Sequence, residues 1–143
     1  MKRENFVEQE RAFHMNRKIL IVDDEKDTLS VLEKALTTEG YSVITADNGK
    51  DAKMLAKSKQ PELIMLDIMM PDMDGTEVAA RLKEDCETKD IPIIFVTCLL
   101  SKEEEKTIED HAISGHVFIA KPYDIEGLLA QIERLLCQQC VPR

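Results

Sequence analysis

Short apolar runs alternate with longer amphipathic stretches along the chain. Four of these runs show no apolar–polar alternation, and they cover residues 19–22, 63–66, 91–96 and 117–120. Such runs are typical of strands that are buried on both faces of a parallel sheet. A fifth run, residues 41–46, largely alternates between polar and apolar positions, which predicts a less buried strand at the edge of the sheet.

The stretches between these runs have helical periodicity. We predict helices over residues 26–39, 48–57, 74–83 and 101–112, and a strongly amphipathic last helix that Asp124 caps. Strand and helix therefore alternate five times with short connections. This order predicts an α/β fold, a flavodoxin-like (βα)5 doubly wound parallel five-stranded sheet with strand order 2-1-3-4-5.

Length and charge narrow the classes of function. A chain of 143 residues is expected to form one domain, since domains average about 100–200 residues. Its formal net charge of −9 opposes contact with phosphate backbones or anionic lipid, so we expect no direct binding to nucleic acid and none to membranes. No secretory signal or membrane span is visible, which predicts a cytoplasmic protein.

Four cysteines are present, at positions 86, 98, 137 and 140. Cys137 and Cys140 form a single CxxC motif, which is able to hold a metal or to cycle between thiols and a disulfide. No second pair with zinc-site spacing accompanies them, and a reducing compartment favours thiols. We therefore expect free thiols.

Acidic residues follow two of the predicted buried strands. A lone Asp67 at the end of residues 63–66 would most simply be a solvated turn residue, but the predicted strand order gives it neighbours. The carboxyl ends of parallel strands meet at one edge of the sheet, where ligands bind in such folds. The residues that reach this edge are Asp23, Asp24, Asp67, Thr97 and Lys121.

This combination predicts chemistry on a phosphoryl group. Three crowded carboxylates repel one another unless a cation is bound, and Mg²⁺ prefers carboxylate and phosphate oxygens. The hydroxyl of Thr97 and the ammonium of Lys121 suit a dianionic group attached to Asp67. We therefore expect a carboxylate nucleophile for phosphoryl transfer, with Mg²⁺ as the cofactor.

Four segments together resemble the receiver domain of bacterial two-component response regulators. They are ILIVDDE (residues 19–25), LIMLDIMMPDMDG (residues 63–75), IIFVT (residues 93–97) and FIAKPY (residues 118–123). They occur in the family's order and spacing, and the resemblance covers residues 17–137. It divides the chain into an N-terminal extension of residues 1–16, disordered or a short helix, the receiver domain, and a tail or linker of residues 138–143.

The resemblance implies a role for each matching residue. Asp67 is the phosphoacceptor, and Asp23, Asp24, Asp67 and the backbone carbonyl of Met69 are expected to bind Mg²⁺, Asp23 mainly through water. Thr97 and Lys121 are expected to contact the phosphoryl oxygens. Phe118 corresponds to the switch aromatic that turns inward when Thr97 moves.

The resemblance also implies the partners. A sensor histidine kinase or a phosphotransfer protein is expected to supply the phosphoryl group, although a small phosphodonor is an alternative source. The surface formed by the fourth helix, the fifth strand and the fifth helix is expected to change on phosphorylation and to bind an unknown protein effector. The domain is expected to be a monomer or weak dimer and to catalyse only its own phosphorylation and dephosphorylation, so it is not an enzyme in the usual sense.

Two places depart from the commonest family pattern. Cys98 adds bulk where a small residue is usual, which narrows access to Asp67, and Ser114-Gly115 stands where Gly-Ala is usual before the last strand, which affects only the local turn. Met69 and Leu99 are apolar at positions that the family uses to tune hydrolysis. Since neither side chain can orient a water molecule, we hypothesise that the acyl phosphate is long-lived.

Two other functions compete with this interpretation. Phosphatases of the haloacid-dehalogenase class also use an aspartate nucleophile with Mg²⁺, but they need a second aspartate two residues later, where this chain has Met69. The second alternative is a vestigial receiver that acts as a phosphorylation-independent protein-binding adaptor. The presence of Asp24, Asp67, Thr97 and Lys121 argues against that alternative.

Overall fold

The computed structural model describes residues 17–70, 74–97, 117–120 and 124–140. The predicted helix over residues 101–112, together with Lys121, Cys98 and Leu99, lies outside this part of the chain. The N-terminal extension of residues 1–16 also lies outside it. The side chains of Thr97, Phe118, Cys137 and Cys140 are likewise not described, whereas Cys86 is an exposed free thiol.

Five strands form one parallel sheet in the order β2-β1-β3-β4-β5. The predicted flavodoxin-like topology is therefore confirmed. The strand bounds are β1 Lys18–Val22, β2 Ser42–Ala46, β3 Leu63–Asp67, β4 Ile93–Thr97 and β5 Val117–Ala120. The four apolar residues of β3 are buried, as their unbroken run predicts, and Asp67 at its end is buried with them. Strand β2 is the partly exposed edge strand that its alternation predicts.

Four helices are described: α1 (Lys26–Thr38), α2 (Gly49–Lys59), α3 (Gly75–Glu84) and the C-terminal helix (Ile125–Cys140). Capping side chains and a glycine define several of the helix ends. The side chains of Asn48 and Asp74 accept hydrogen bonds from backbone N–H groups in the first turns of α2 and α3, at 2.8 and 2.9 Å. Gly40 follows α1 with a φ of 101°, which explains why that helix stops there.

The helices pack on both faces of the sheet. Alternate residues of the central strands point to opposite faces, so that one cluster joins β-strand residues to α2 and α3, and a second joins them to α1 and the C-terminal helix. Leu66 and Phe95 belong to the first cluster, and Met65 and Ile94 to the second. This two-sided core fixes the carboxyl ends of β1 and β3 beside each other.

The C-terminal helix is amphipathic and capped by Asp124, as predicted. Leu128, Ile132 and Leu136 are buried against the sheet, and Asp124 Oδ1 accepts a hydrogen bond of 2.8 Å from the N–H of Gly127. The helix extends to Cys140, three residues beyond the predicted end of the receiver domain at residue 137. Among the described residues, no helix is long and apolar enough to cross a membrane.

Candidate functional site

Three aspartates meet at the carboxyl ends of β1 and β3. Asp23 and Asp24 directly follow β1, and Asp67 is the last residue of β3. One carboxylate oxygen from each lies within 4.8 Å of those of the other two. Asp23 and Asp67 are buried, with 3% and 4% of their surfaces exposed, whereas Asp24 is exposed. The structure therefore brings together the three acids that the strand order predicts.

Both buried acids are held by the loops that follow them. Oδ1 of Asp23 accepts a hydrogen bond of 2.9 Å from the N–H of Glu25, and Oδ1 of Asp67 accepts one of 3.1 Å from the N–H of Met69. In each case the donor lies two residues after the acid, as in an Asx turn. The carboxylates are thus fixed in orientation before any ligand arrives.

Backbone hydrogen bonds to neighbouring strands fix the ends of β1 and β3. The N–H of Asp23 donates to the carbonyl of Ala46, at 3.1 Å, and the N–H of Ile68 donates to the carbonyl of Val96, at 3.0 Å. These bonds continue the strand pairing to the residues that carry or adjoin the acids. The acids therefore lie at the ends of paired strands, and the geometry of the site depends on the sheet.

The start of α3 closes the loop that leaves Asp67. The N–H of Gly75 donates a hydrogen bond of 2.9 Å to the carbonyl of Ile68. A β-carbon at position 75 would collide with the carbonyl oxygen of Asp67 and would come within 2.7 Å of the α-carbon of Ile68. The first turn of α3 therefore packs directly on the backbone of the predicted phosphoacceptor.

The other predicted site residues are placed only through their backbones. Thr97 ends β4, the strand beside β3, and it pairs with Ala120 of β5, the residue before Lys121. Phe118 pairs with Phe95 in the same register. Thr97 therefore ends at the same edge of the sheet as Asp67. The contacts of the Thr97, Phe118 and Lys121 side chains remain predictions.

The donor set fits a hard divalent cation. Three carboxylates supply oxygen ligands, and Mg²⁺ characteristically binds one or two carboxylates while it keeps several waters. Elsewhere in the described ranges, no other group of three histidine, cysteine, aspartate or glutamate side chains converges closely enough for a metal. The burial of two of the acids makes their mutual repulsion costly without a cation.

Sequence reasoning did not identify the backbone anchors of the two buried acids or the packing of Gly75. The Asx-type anchors had a local signal, because an aspartate that ends a strand commonly bonds to the N–H two residues later. The signal for the packing of Gly75 was weaker: glycine is a poor helix former and yet begins α3. What it packs against depends on the tertiary structure.

A family model described as the response regulator receiver domain matches residues 19–133 of this chain. The chain belongs to this family. Receiver domains are phosphoaccepting signalling domains of two-component systems and not classical enzymes, and they partner with histidine kinases. They generally bind Mg²⁺ through acidic residues, which agrees with the cluster at the ends of β1 and β3.

Relatives of this receiver differ in length. The probable transcriptional regulator ycf27 of Porphyra purpurea is 37% identical over 123 residues, which make up 86% of this chain and 49% of ycf27. Protein PilH of Pseudomonas aeruginosa is 34% identical over 119 residues, 83% of this chain and 97% of PilH. The chain thus spans about half the length of ycf27 and nearly all of PilH.

Solved receiver structures share the fold. The chemotaxis protein CheY4 of Vibrio cholerae superposes with a TM-score of 0.75 at 28% identity, and the match covers 85% of this chain and 98% of CheY4. This agreement supports the predicted topology independently of the sequence motifs.

Proposed function

We propose that this receiver accepts a phosphoryl group on Asp67 in a reaction that depends on Mg²⁺. The main support for this proposal is the cluster of Asp23, Asp24 and Asp67, whose carboxylate oxygens lie within 4.8 Å of one another. Two of these acids are buried and held by backbone N–H groups, so the fold maintains a costly concentration of negative charge. A cation bound at this position would offset that cost.

In this proposal, Asp24, Asp67 and the backbone carbonyl of Met69 bind the ion, and Asp23 acts mainly through water. The bound Mg²⁺ would neutralise charge that develops on the transferred phosphoryl oxygens. The N–H of Met69 already bonds to the Asp67 carboxylate, which ties the loop containing that carbonyl to the acceptor.

The transfer is a displacement at phosphorus. A carboxylate oxygen of Asp67 attacks the phosphorus of a phosphohistidine, the P–N bond breaks as the new P–O bond forms, and the released electron pair returns to the imidazole, which takes up a proton. The donor is a sensor histidine kinase or a phosphotransfer protein. Lys121 and Thr97 contact the phosphoryl oxygens and balance their charge.

Activation then changes the surface that binds a protein effector. Thr97 moves towards the phosphoryl group, Phe118 turns inward, and the surface formed by the predicted helix over residues 101–112, β5 and the C-terminal helix is altered. The backbone register supports this role, because Thr97 pairs with the residue before Lys121 and Phe118 lies on the adjacent strand.

The remaining assignments follow from charge and from the family. We propose that the receiver domain comprises residues 17–137, preceded by the extension of residues 1–16 and followed by a tail or linker over residues 138–143. It acts in the cytoplasm as a monomer or weak dimer. With a net charge of −9, this segment does not itself bind nucleic acid.

Intact mass spectrometry tests the proposal after incubation with acetyl phosphate and Mg²⁺. The wild-type protein should gain a single phosphoryl adduct, whereas Asp67→Asn and an EDTA-treated sample should gain none. Asparagine keeps the size of the side chain but removes its negative charge and its nucleophilic oxygen, so the variant cannot form the acyl phosphate. No adduct on folded wild-type protein would contradict the proposal and would favour the adaptor alternative.

A further inference from the structure

Gly75 occupies a position where the fold has no room for a side chain. It is the first residue of α3, and a β-carbon there would collide with the carbonyl oxygen of Asp67 and lie 3.0 Å from its carbonyl carbon. It would also lie 2.7 Å from the α-carbon of Ile68. All three are backbone atoms, so no rotation of a side chain relieves the contact.

Strand β3 cannot move away from such a collision. Its five residues are buried on both faces, it is paired with β1 and β4, and the N–H of Ile68 donates to the carbonyl of Val96. By contrast, α3 begins at an exposed cap, where Asp74 Oδ1 accepts bonds of 2.9 Å from both the N–H and the hydroxyl of Thr76. A larger residue at position 75 would therefore displace the start of α3 and not Asp67.

That displacement would move Gly75 away from Ile68, whose carbonyl accepts its hydrogen bond. The hydrogen bond from the N–H of Gly75 to the carbonyl of Ile68 joins the two ends of the loop, and Met69 lies just inside it. If the start of α3 withdraws, this bond lengthens and the Met69 backbone is no longer held against the Asp67 carboxylate. The carbonyl of Met69, which is the proposed backbone ligand of Mg²⁺, would then lose its position beside Asp67.

We infer that Gly75 is a positioning residue that sets the Mg²⁺ affinity of the site by holding the loop of Met69 against Asp67. The inference rests on the proposed function, since it concerns the ligands of the same ion. It goes beyond that function because it assigns control of metal binding to a residue that has no side chain and itself offers no ligand to the ion.

Titration calorimetry with MgCl₂ tests this role in the wild-type chain, in Gly75→Ala and in Gly127→Ala. Loss of an orienting contact typically weakens metal binding by about 10- to 100-fold, and we expect a loss of this size for Gly75→Ala. Gly127→Ala is the matched control, since it is the same substitution in the first turn of another helix. Among the described residues, the atoms nearest to its β-carbon would belong to the side chain of Asp124, which can rotate.

A purely structural role for Gly75 predicts a lower rate of phosphorylation at every Mg²⁺ concentration, whereas a positioning role predicts a change only in the Mg²⁺ that is needed. Phosphorylation of Gly75→Ala by acetyl phosphate should need more Mg²⁺ but should recover to near the wild-type rate at saturating metal, because Asp67 keeps its place. Wild-type Mg²⁺ affinity in a folded Gly75→Ala would overturn the inference and leave the proposed function intact. Failure of the wild-type protein to bind Mg²⁺ would instead overturn the proposed function.

Nuclear magnetic resonance provides a test that needs no variant, should Gly75→Ala not fold. The amide resonance of Gly75 in the wild-type protein reports the hydrogen bond to Ile68. It should shift during a Mg²⁺ titration with the same midpoint as the amide of Met69, while the amide of Gly127 stays unchanged. A Gly75 resonance that does not respond while Met69 does would overturn the inference.

Discussion

Asp24 differs from its two acidic neighbours in being exposed, although its carboxylate lies within 4.8 Å of theirs. Asp23 and Asp67 are fixed by backbone donors, so their negative charges cannot separate. Asp24 therefore adds repulsion to a site that is already charged. The negative charge of Asp24 stabilises the folded protein only when a cation is bound.

The substitution Asp24→Asn should consequently stabilise the protein without metal and weaken its response to metal. We expect a gain of about 0.2–1 kcal/mol in the free energy of unfolding without Mg²⁺, the size typical of charge interactions at exposed sites. Added Mg²⁺ should raise the wild-type melting temperature more than that of the variant, because only bound ligand stabilises the folded state. Thermal denaturation with and without MgCl₂ measures both effects, and equal Mg²⁺ responses would contradict this role of Asp24.

Met69 provides a second prediction at the scale of a residue. Its side chain is 60% exposed beside the acceptor, and it has no polar group to orient an attacking water. We therefore expect the phosphoryl group on Asp67 to persist for minutes or longer when no phosphatase is present. The decay of the phosphorylated mass after removal of acetyl phosphate measures this lifetime, and complete loss within seconds would refute the expectation.

The C-terminal helix buries one of its faces against the sheet. Ile132 is fully buried against the sheet, while Arg134 is exposed on the same helix. Ile132→Ala should lower the free energy of unfolding by about 2–5 kcal/mol, because it removes apolar contacts and leaves a cavity. Arg134→Ala should change it by less than about 0.5 kcal/mol, as is usual at surface positions. Urea denaturation of both variants measures these changes. Similar losses in the free energy of unfolding for the two variants would contradict the packing of Ile132 in the core.

Tyr41 joins the end of α1 to β2 and gives a prediction for alkaline pH. Burial, followed by the negative charge of Glu133, raises the pKa of the Tyr41 hydroxyl above the ordinary tyrosine value. A raised folded-state pKa means that stability is fully present below the unfolded pKa of about 10 and is lost as the pH rises towards the folded value.

Wild-type protein should therefore lose stability faster than Tyr41→Phe as the pH rises above about 10, since phenylalanine has no proton to lose. Urea unfolding of both proteins across this range isolates the contribution of Tyr41 from that of other titrating groups. Parallel pH profiles for the two proteins would show that burial of the hydroxyl has no such effect.

At the scale of the whole molecule, topology accounts for most of what the sequence predicts. The strand order places β1 beside β3, so the acids at positions 23 and 67 are neighbours. The order of apolar runs and helices along the chain was sufficient to predict that arrangement. The edge position of β2 followed from its alternation in the same way.

Details that depend on close approach between elements were not predictable. The sequence indicates a helix that starts after Asp74, but it does not show that the first residue of α3 rests on the carbonyl of Asp67. Helix ends also differ from the predicted ends by one or two residues. For example, α2 ends at Lys59, two residues later than predicted, because the next residue, Gln60, adopts a left-handed conformation that the local sequence does not indicate.

We propose that Asp67, and not a neighbouring acid, accepts the phosphoryl group. Borohydride reduction distinguishes the three acids, because it converts an aspartyl phosphate into homoserine, which peptide mass spectrometry locates. After incubation with acetyl phosphate and Mg²⁺, we predict homoserine at position 67 and unmodified aspartate at positions 23 and 24. Homoserine at position 23 or 24, with Asp67 unmodified, would contradict the assignment.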